Sequence, residues 1–159
     1  MADRVSHVQR AIKQTQPFPS RAQEGLVGML VVADRIQRTA APLLEPHGIT
    51  PQQYNVLRIL RGAGDRGLPT LEIAERMIQQ APGITRLLDR LEAKRLVTRE
   101  RCREDRRRVW CRITPVGLTL LAALDQPVDK WDREALGMLS RKQVDVLVEL
   151  VNAILADGG

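Results

Sequence analysis

The stretch from Gln80 to Ile113 constrains this chain more than any other part of it. It runs QAPGITRLLDRLEAKRLVTRERCREDRRRVWCRI and stops at Thr114-Pro115. Ile84, Leu87, Leu88 and Leu91 recur at the i, i+3, i+4, i+7 spacing that turns one stripe of a helix towards a core. Pro82 and Gly83 stand at the entrance, where a proline's missing N–H costs nothing because the first helical donors lack partners anyway. With that stripe inward, Pro82, Gly83, Arg86, Asp89 and Arg90 fall on the solvated side. Two short runs follow, Leu96 to Cys102 and Val109 to Ile113, with apolar or β-branched residues at roughly alternate positions. A charged tip, Arg103 to Arg108, separates them, which is a hairpin pattern.

Charge says what such a surface meets. From Arg86 to Arg112 there are eleven Arg or Lys against five acids, a local charge of +6. The whole chain also carries +6, so the remainder is balanced at fourteen of each sign. A basic patch that holds all the net charge is expected to face phosphates. An arginine-faced helix followed at once by an arginine-tipped hairpin is a winged helix-turn-helix pattern. The expected fold is therefore mainly α with a small β-hairpin, a DNA-binding core flanked by N- and C-terminal dimerisation helices.

The rest of the chain divides around that module. Val5, Val8 and Ile12 suit one short amphipathic helix ended by Pro17 and Pro19, so residues 1–19 read as an N-terminal extension. Ser20 with Gln23 opens a long helix by the S/T-x-x-E/Q capping pattern, and Pro42 is expected to kink it or end it early. Thr50 to Gln53 repeats the pattern with a proline at the first helical position, and that helix ends at a glycine-rich loop, Gly62 to Gly67. Thr70 starts the short helix LEIAERM, joined by Ile78-Gln79-Gln80 to the arginine-faced helix. Two short helices with a tight junction are what a helix-turn-helix requires. Thr114-Pro115 restarts a helix that Pro127 should bend or interrupt, and Ser140 with Gln143 caps a last one. Residues 48–114 read as the winged helix-turn-helix domain, and 20–47 with 115–157 as a helical dimerisation region. The flanking helices carry more apolar positions than the central module can cover. A homodimer is the favoured outcome, since a two-fold protein matches a palindromic site.

Other classes find little support. The longest apolar stretch, Leu26 to Ala33, falls short of a membrane span, and MADRVSHVQRAIKQ lacks the apolar centre of a signal peptide, so a cytoplasmic protein is expected. Two cysteines without a CxxC or Cys/His cluster point to no metal site and no disulfide framework, and no cofactor is expected. His7 and His47 lie in no catalytic constellation, and the chain has no phosphate loop or nucleophile elbow, so it does not read as an enzyme.

These segments resemble the MarR family of bacterial winged-helix transcriptional regulators, from about Gly48 to Gly117. ITPQQYNVLRIL is similar to the family's second helix, LEIAERM with PGITRLLDRLEAK to its helix-turn-helix, and LVTRERCREDRRRVWCRITPVG to its wing. The resemblance implies an obligate dimer on double-stranded DNA, a recognition helix in the major groove and a wing arginine in the minor groove. It also implies repression, relieved when a small, often phenolic, effector binds near the junction of the dimer and DNA-binding regions. Arg86 matches the recognition-helix arginine, and Asp105 with Arg107 matches the wing pair in which the acid holds the arginine. Two positions depart from the pattern. Gly83 replaces a frequent hydroxyl residue, and Arg95 stands where glycine usually ends the recognition helix. A left-handed backbone there costs a non-glycine residue roughly 1–2 kcal/mol, which puts the shape of the helix–wing hinge at issue.

Arg86 and Arg90, one turn apart, suit guanine O6 and N7 in the major groove; the alternative is ion pairing with Asp89 or Glu92. Gln79, Gln80, Gly83 and Thr85 lie near the helix start, within reach of bases or phosphates. Arg106, Arg107 and Arg108 at the tip suit a narrow minor groove. Cys102 and Cys111 face each other if the turn is centred between Arg106 and Arg107, which leaves a redox-responsive regulator open beside two ordinary reduced cysteines. His47, Tyr54 and Trp131 are candidate effector walls on the strength of the resemblance. A winged-helix module that docks proteins instead of DNA is the other alternative.

Overall fold

The computed structural model describes residues 5–79, 83–101 and 108–156. The chain forms two units, residues 1–51 and 52–159.

In the first unit, helix α1 (His7–Ala11) is closed by a reciprocal capping box. Ser6 N–H donates to Gln9 Oε1 at 2.9 Å, and Gln9 N–H donates to Ser6 Oγ at 3.2 Å. This satisfies two backbone donors that a five-residue helix would otherwise leave bare. Helix α2 (Arg21–Leu44) starts where expected, with Ser20 Oγ accepting the Gln23 N–H at 3.1 Å. It does not end or break at Pro42. That proline falls in the last turn, where it removes one helical bond. Leu43 and Leu44 beyond it are half-buried and buried. Burial of two leucines at about 1.5–3 kcal/mol each is enough to offset a proline penalty of about 3 kcal/mol.

The second unit is built on α3 (Pro51–Ala63), whose Val56, Leu57 and Leu60 are fully buried. A 3-10 turn leads to strand β1 (Leu68–Pro69), helix α4 (Thr70–Arg76), helix α5 (Ile84–Ala93) and strands β2 (Val97–Arg101) and β3 (Val109–Ile113). Helices α6 (Pro115–Ala135) and α7 (Arg141–Ala156) complete it. The hairpin is thus part of a three-stranded antiparallel sheet in the order β1-β3-β2, with β1 the strand that periodicity did not indicate. Two residues carry no period; their pairing, Leu68 with Cys111 and Pro69 with Trp110, is a tertiary fact. The interior joins Ile73 of α4, Leu88 and Leu91 of α5, Val97, Cys111, and Leu121 with Leu124 of α6. Helix α6 runs unbroken through Pro127, contrary to an interruption there.

The exit of α5 answers the question that Arg95 raised. Arg95 adopts the left-handed conformation, φ 57°, despite its side chain. Arg95 N–H bonds the Glu92 carbonyl (2.8 Å) and Leu96 N–H the Leu91 carbonyl (3.0 Å), the paired bonds of a Schellman motif. Leu91 and Leu96, both buried, supply its apolar contact. The helix–wing hinge therefore keeps the shape that glycine would give. Arg95→Gly is expected to stabilise the protein by about 0.5–1 kcal/mol, the relief of left-handed strain less the extra chain entropy of glycine. A thermal melt showing no gain, or a loss, would count against this account of the turn.

Beyond the wing, Thr114 caps α6 and ties it to that exit. Its hydroxyl donates to the Arg95 carbonyl at 2.7 Å and accepts the Gly117 N–H at 3.0 Å. A Cβ on Gly117 would lie 2.5 Å from the Leu96 carbonyl oxygen. The run Ile-Thr-Pro-x-Gly is thus the joint at which helix, strand and helix close on one another.

Candidate nucleic-acid interface

Helix α5 divides its residues cleanly. Leu88 and Leu91 are fully buried, Ile84 and Leu87 half-buried, and Gly83, Thr85, Arg86, Asp89 and Arg90 exposed. Gly83 is the N-cap with φ 104°, a conformation that a hydroxyl-bearing residue adopts only under strain, and no side chain caps the helix. The turn before it is steadied by Asn55, whose Oδ1 accepts the Ile78 N–H at 3.0 Å, and Gln79 there is exposed. Gln80, Asp105, Arg106 and Arg107 lie outside the described residues, as does Cys102. Arg108 is described and exposed; it borders a groove of about 440 Å³ shared with Pro69, Leu71 and Trp110.

Among the described residues, neither Arg86 nor Arg90 forms an ion pair. The acids that sequence offered as their alternative partners are engaged elsewhere. Arg99 of β2 reaches Asp89 Oδ1 at 2.6 Å and Glu92 Oε2 at 2.7 Å through Nη2, and Glu92 Oε2 again at 2.9 Å through Nε. Glu92 Oε1 also accepts the Arg99 backbone N–H at 3.2 Å. The Glu92 hydrogen bond, with Asp89 behind it, holds the Arg99 guanidinium above its ordinary pKa against the pull of burial. Arg112 is likewise turned to structure, on Glu100 (3.3 Å) and the Asp65 carbonyl (3.1 Å). Arg99 and Arg112 therefore bind the fold together, while Arg86 and Arg90 are exposed and pair with no acid among the described residues.

Composition counted Arg99 with the patch and missed its inward role. The signal was there in the strand period. Directly opposite residues share a face of the sheet, and the register sets Val97 against Ile113 and Arg99 against Cys111. Val97 and Cys111 are buried, so Arg99, two residues after Val97, must face the same side.

That register also corrects the cysteine geometry. Cys111 lies opposite Arg99, three residues before the position that a turn centred between Arg106 and Arg107 requires. Cys111 is fully buried, with Thr70 Oγ1 at 3.7 Å. Burial pushes its thiol pKa up, more than the Thr70 contact and the nearby Arg99 pull it down. A thiol held protonated is a poor nucleophile. Iodoacetamide at neutral pH is expected to leave Cys111 unmodified in the native protein and to modify it in urea, as read by peptide mass spectrometry. Native-state labelling of Cys111 would reinstate a reactive wing.

His47 is exposed, whereas Tyr54 and Trp131 are half-buried. The Tyr54 hydroxyl accepts a hydrogen bond from Arg58 Nη1 at 3.0 Å, with the guanidinium 5.8 Å from the ring centre. Among the described residues, no helix is long and apolar enough to cross a membrane.

Comparison with known proteins agrees with this geometry. Residues 47–108 match the sequence pattern of the MarR family. The transcriptional regulator HosA of Escherichia coli O157:H7 is 31% identical over 119 residues, spanning 75% of this chain and 87% of that protein. Among solved structures, a MarR transcription factor from Planctomyces limnophilus is 36% identical with a TM-score of 0.67, over 86% of this chain and 99% of that one. The fold is also similar to that of S. aureus MepR in its complex with DNA, at 24% identity and a TM-score of 0.73, over 81% and 94% of the two chains.

Proposed function

The chain belongs to the MarR family and is a DNA-binding transcriptional regulator, and on that premise we propose that it acts as a homodimer on a palindromic operator. In this reading α5 of each copy enters a major groove, with Arg86 forked onto guanine and Arg90 beside it. Gln79, Gln80, Gly83 and Thr85 approach bases or phosphates near the helix start. The wing residues Arg106, Arg107 and Arg108 follow the minor groove, with Asp105 orienting Arg107. The single observation that carries this is the pair of exposed arginines, without an ion pair among the described residues, on a helix whose opposite face is core.

Dimerisation is supported by what the flanking helices leave uncovered. In α7 only Val144 is half-buried, and Leu147, Val151 and Ile154 form an exposed apolar stripe. Leu26 and Leu30 of α2 are 60% and 70% exposed. A lone chain rarely keeps such faces in water. Residues 20–47 and 115–157 are assigned to the dimer, and 48–114 to DNA.

Selection of bound fragments from a random DNA pool, with light scattering for mass, tests the reading. Inverted repeats with half-site centres about 34–36 Å apart are expected, bound by a two-chain species. A monomer, or no inverted-repeat preference at moderate ionic strength, overturns it. Repression is the proposed outcome, relieved by a small aromatic effector that favours the DNA-incompetent dimer by about 1–3 kcal/mol. Calorimetry that detects no binding across a panel of aromatic acids removes that effector class.

A further inference from the structure

We infer that Arg99 is a positioning residue for DNA reading: it touches no nucleic acid, and it acts by pairing with Asp89 and Glu92, which weakens the negative charge that α5 presents beside Arg86 and Arg90. The inference rests on the DNA-reading assignment of α5 made above. Asp89 stands in the exposed row of α5 between Arg86 and Arg90. Left uncovered, its carboxylate would repel phosphates and compete for Arg86, its i−3 neighbour. Arg99 prevents this from behind, with Nη2 2.6 Å from Asp89 and 2.7 Å from Glu92. The Arg99 side chain is only 22% exposed, whereas those of Asp89 and Glu92 are 52% and 40% exposed. The guanidinium is thus spent on the two acids and screened from a ligand approaching α5. Three bonds between Glu92 and Arg99 join the reading helix to the first wing strand.

A four-member cycle separates this role from direct contact and from mere folding. Operator affinity is measured for the wild-type protein, Arg99→Met, the double variant Asp89→Asn/Glu92→Gln, and the triple variant. Arg99→Met is expected to bind about tenfold more weakly, because two carboxylates are bared at the interface. The double variant should remain within about threefold of wild type. Adding Arg99→Met to the double variant should then cost less than about threefold, since nothing remains to be covered. A residue that touches phosphate would cost about tenfold in both backgrounds and lower the salt slope by about one, and that result overturns the inference. Wild-type affinity in Arg99→Met overturns it as well. Should Arg99→Met alone fail to fold, the comparison of the double and triple variants decides by itself. Failure of the wild-type protein to bind any inverted repeat would instead strike the DNA-reading assignment.

Discussion

Arg86→Ala is expected to weaken binding to the selected operator by about 10- to 100-fold per half-site while leaving the protein fully folded. An arginine fork on guanine O6 and N7 discriminates by about 1–3 kcal/mol, and truncation to alanine removes both bonds. Stability should change by less than about 0.5 kcal/mol, because Arg86 is exposed and engages no described residue. Its helix is held by Leu88 and Leu91 on the other face. Affinity for unrelated DNA should fall far less, since phosphate neutralisation by the remaining basic residues carries that term. Arg107→Ala is expected to show the opposite signature, weakening all sequences alike and lowering the salt slope by about one. Competition binding with operator and random duplexes at several salt concentrations distinguishes the two. Unchanged operator affinity in both variants would defeat the assignment of helix and wing.

The second large effect belongs to Gly67. Its backbone, φ 66° and ψ −168°, lies in a region that is essentially glycine's alone. A Cβ there would stand 2.3 Å from the Cys111 carbonyl oxygen and 2.6 Å from Arg112 Cγ. The side chain could swing away, but the carbonyl belongs to the central strand of the sheet and cannot. Gly67→Ala therefore combines backbone strain of about 1–3 kcal/mol with overpacking of about 1–3 kcal/mol. A total of about 2–6 kcal/mol is a large share of the stability of an ordinary domain. Urea denaturation should show the loss as a lowered midpoint. Because β1 attaches the start of α4 to the wing, DNA affinity should fall even where the variant remains folded. A midpoint equal to wild type would mean that β1 is dispensable.

Much of this architecture was legible from local pattern. The stripe Ile84, Leu87, Leu88, Leu91 required a helix with Arg86 and Arg90 on its dry side's reverse, and the exposure of those residues agrees. The capping pairs Ser20–Gln23 and Ser140–Gln143 marked helix starts because the bonds involved span three residues. Prolines did not end or interrupt the helices, since Pro42 and Pro127 sit inside α2 and α6, where tertiary burial of neighbouring apolar residues offsets one lost bond. Strand β1 was invisible, being two residues long and held by pairing alone.

By itself, then, the order of residues determined the helices, the two hairpin strands, the face that carries Arg86 and Arg90, and the place where positive charge collects. Each of these depends on interactions within a few positions of the chain. Only the folded molecule decided that Arg99 belongs to Asp89 and Glu92, that Cys111 sits opposite Arg99 rather than Cys102, and that Gly67 and Gly117 abut neighbouring backbones. Those choices turn on strand register and on which surfaces meet. A shift of a single residue in register exchanges the two faces of a strand, and no local spacing specifies it.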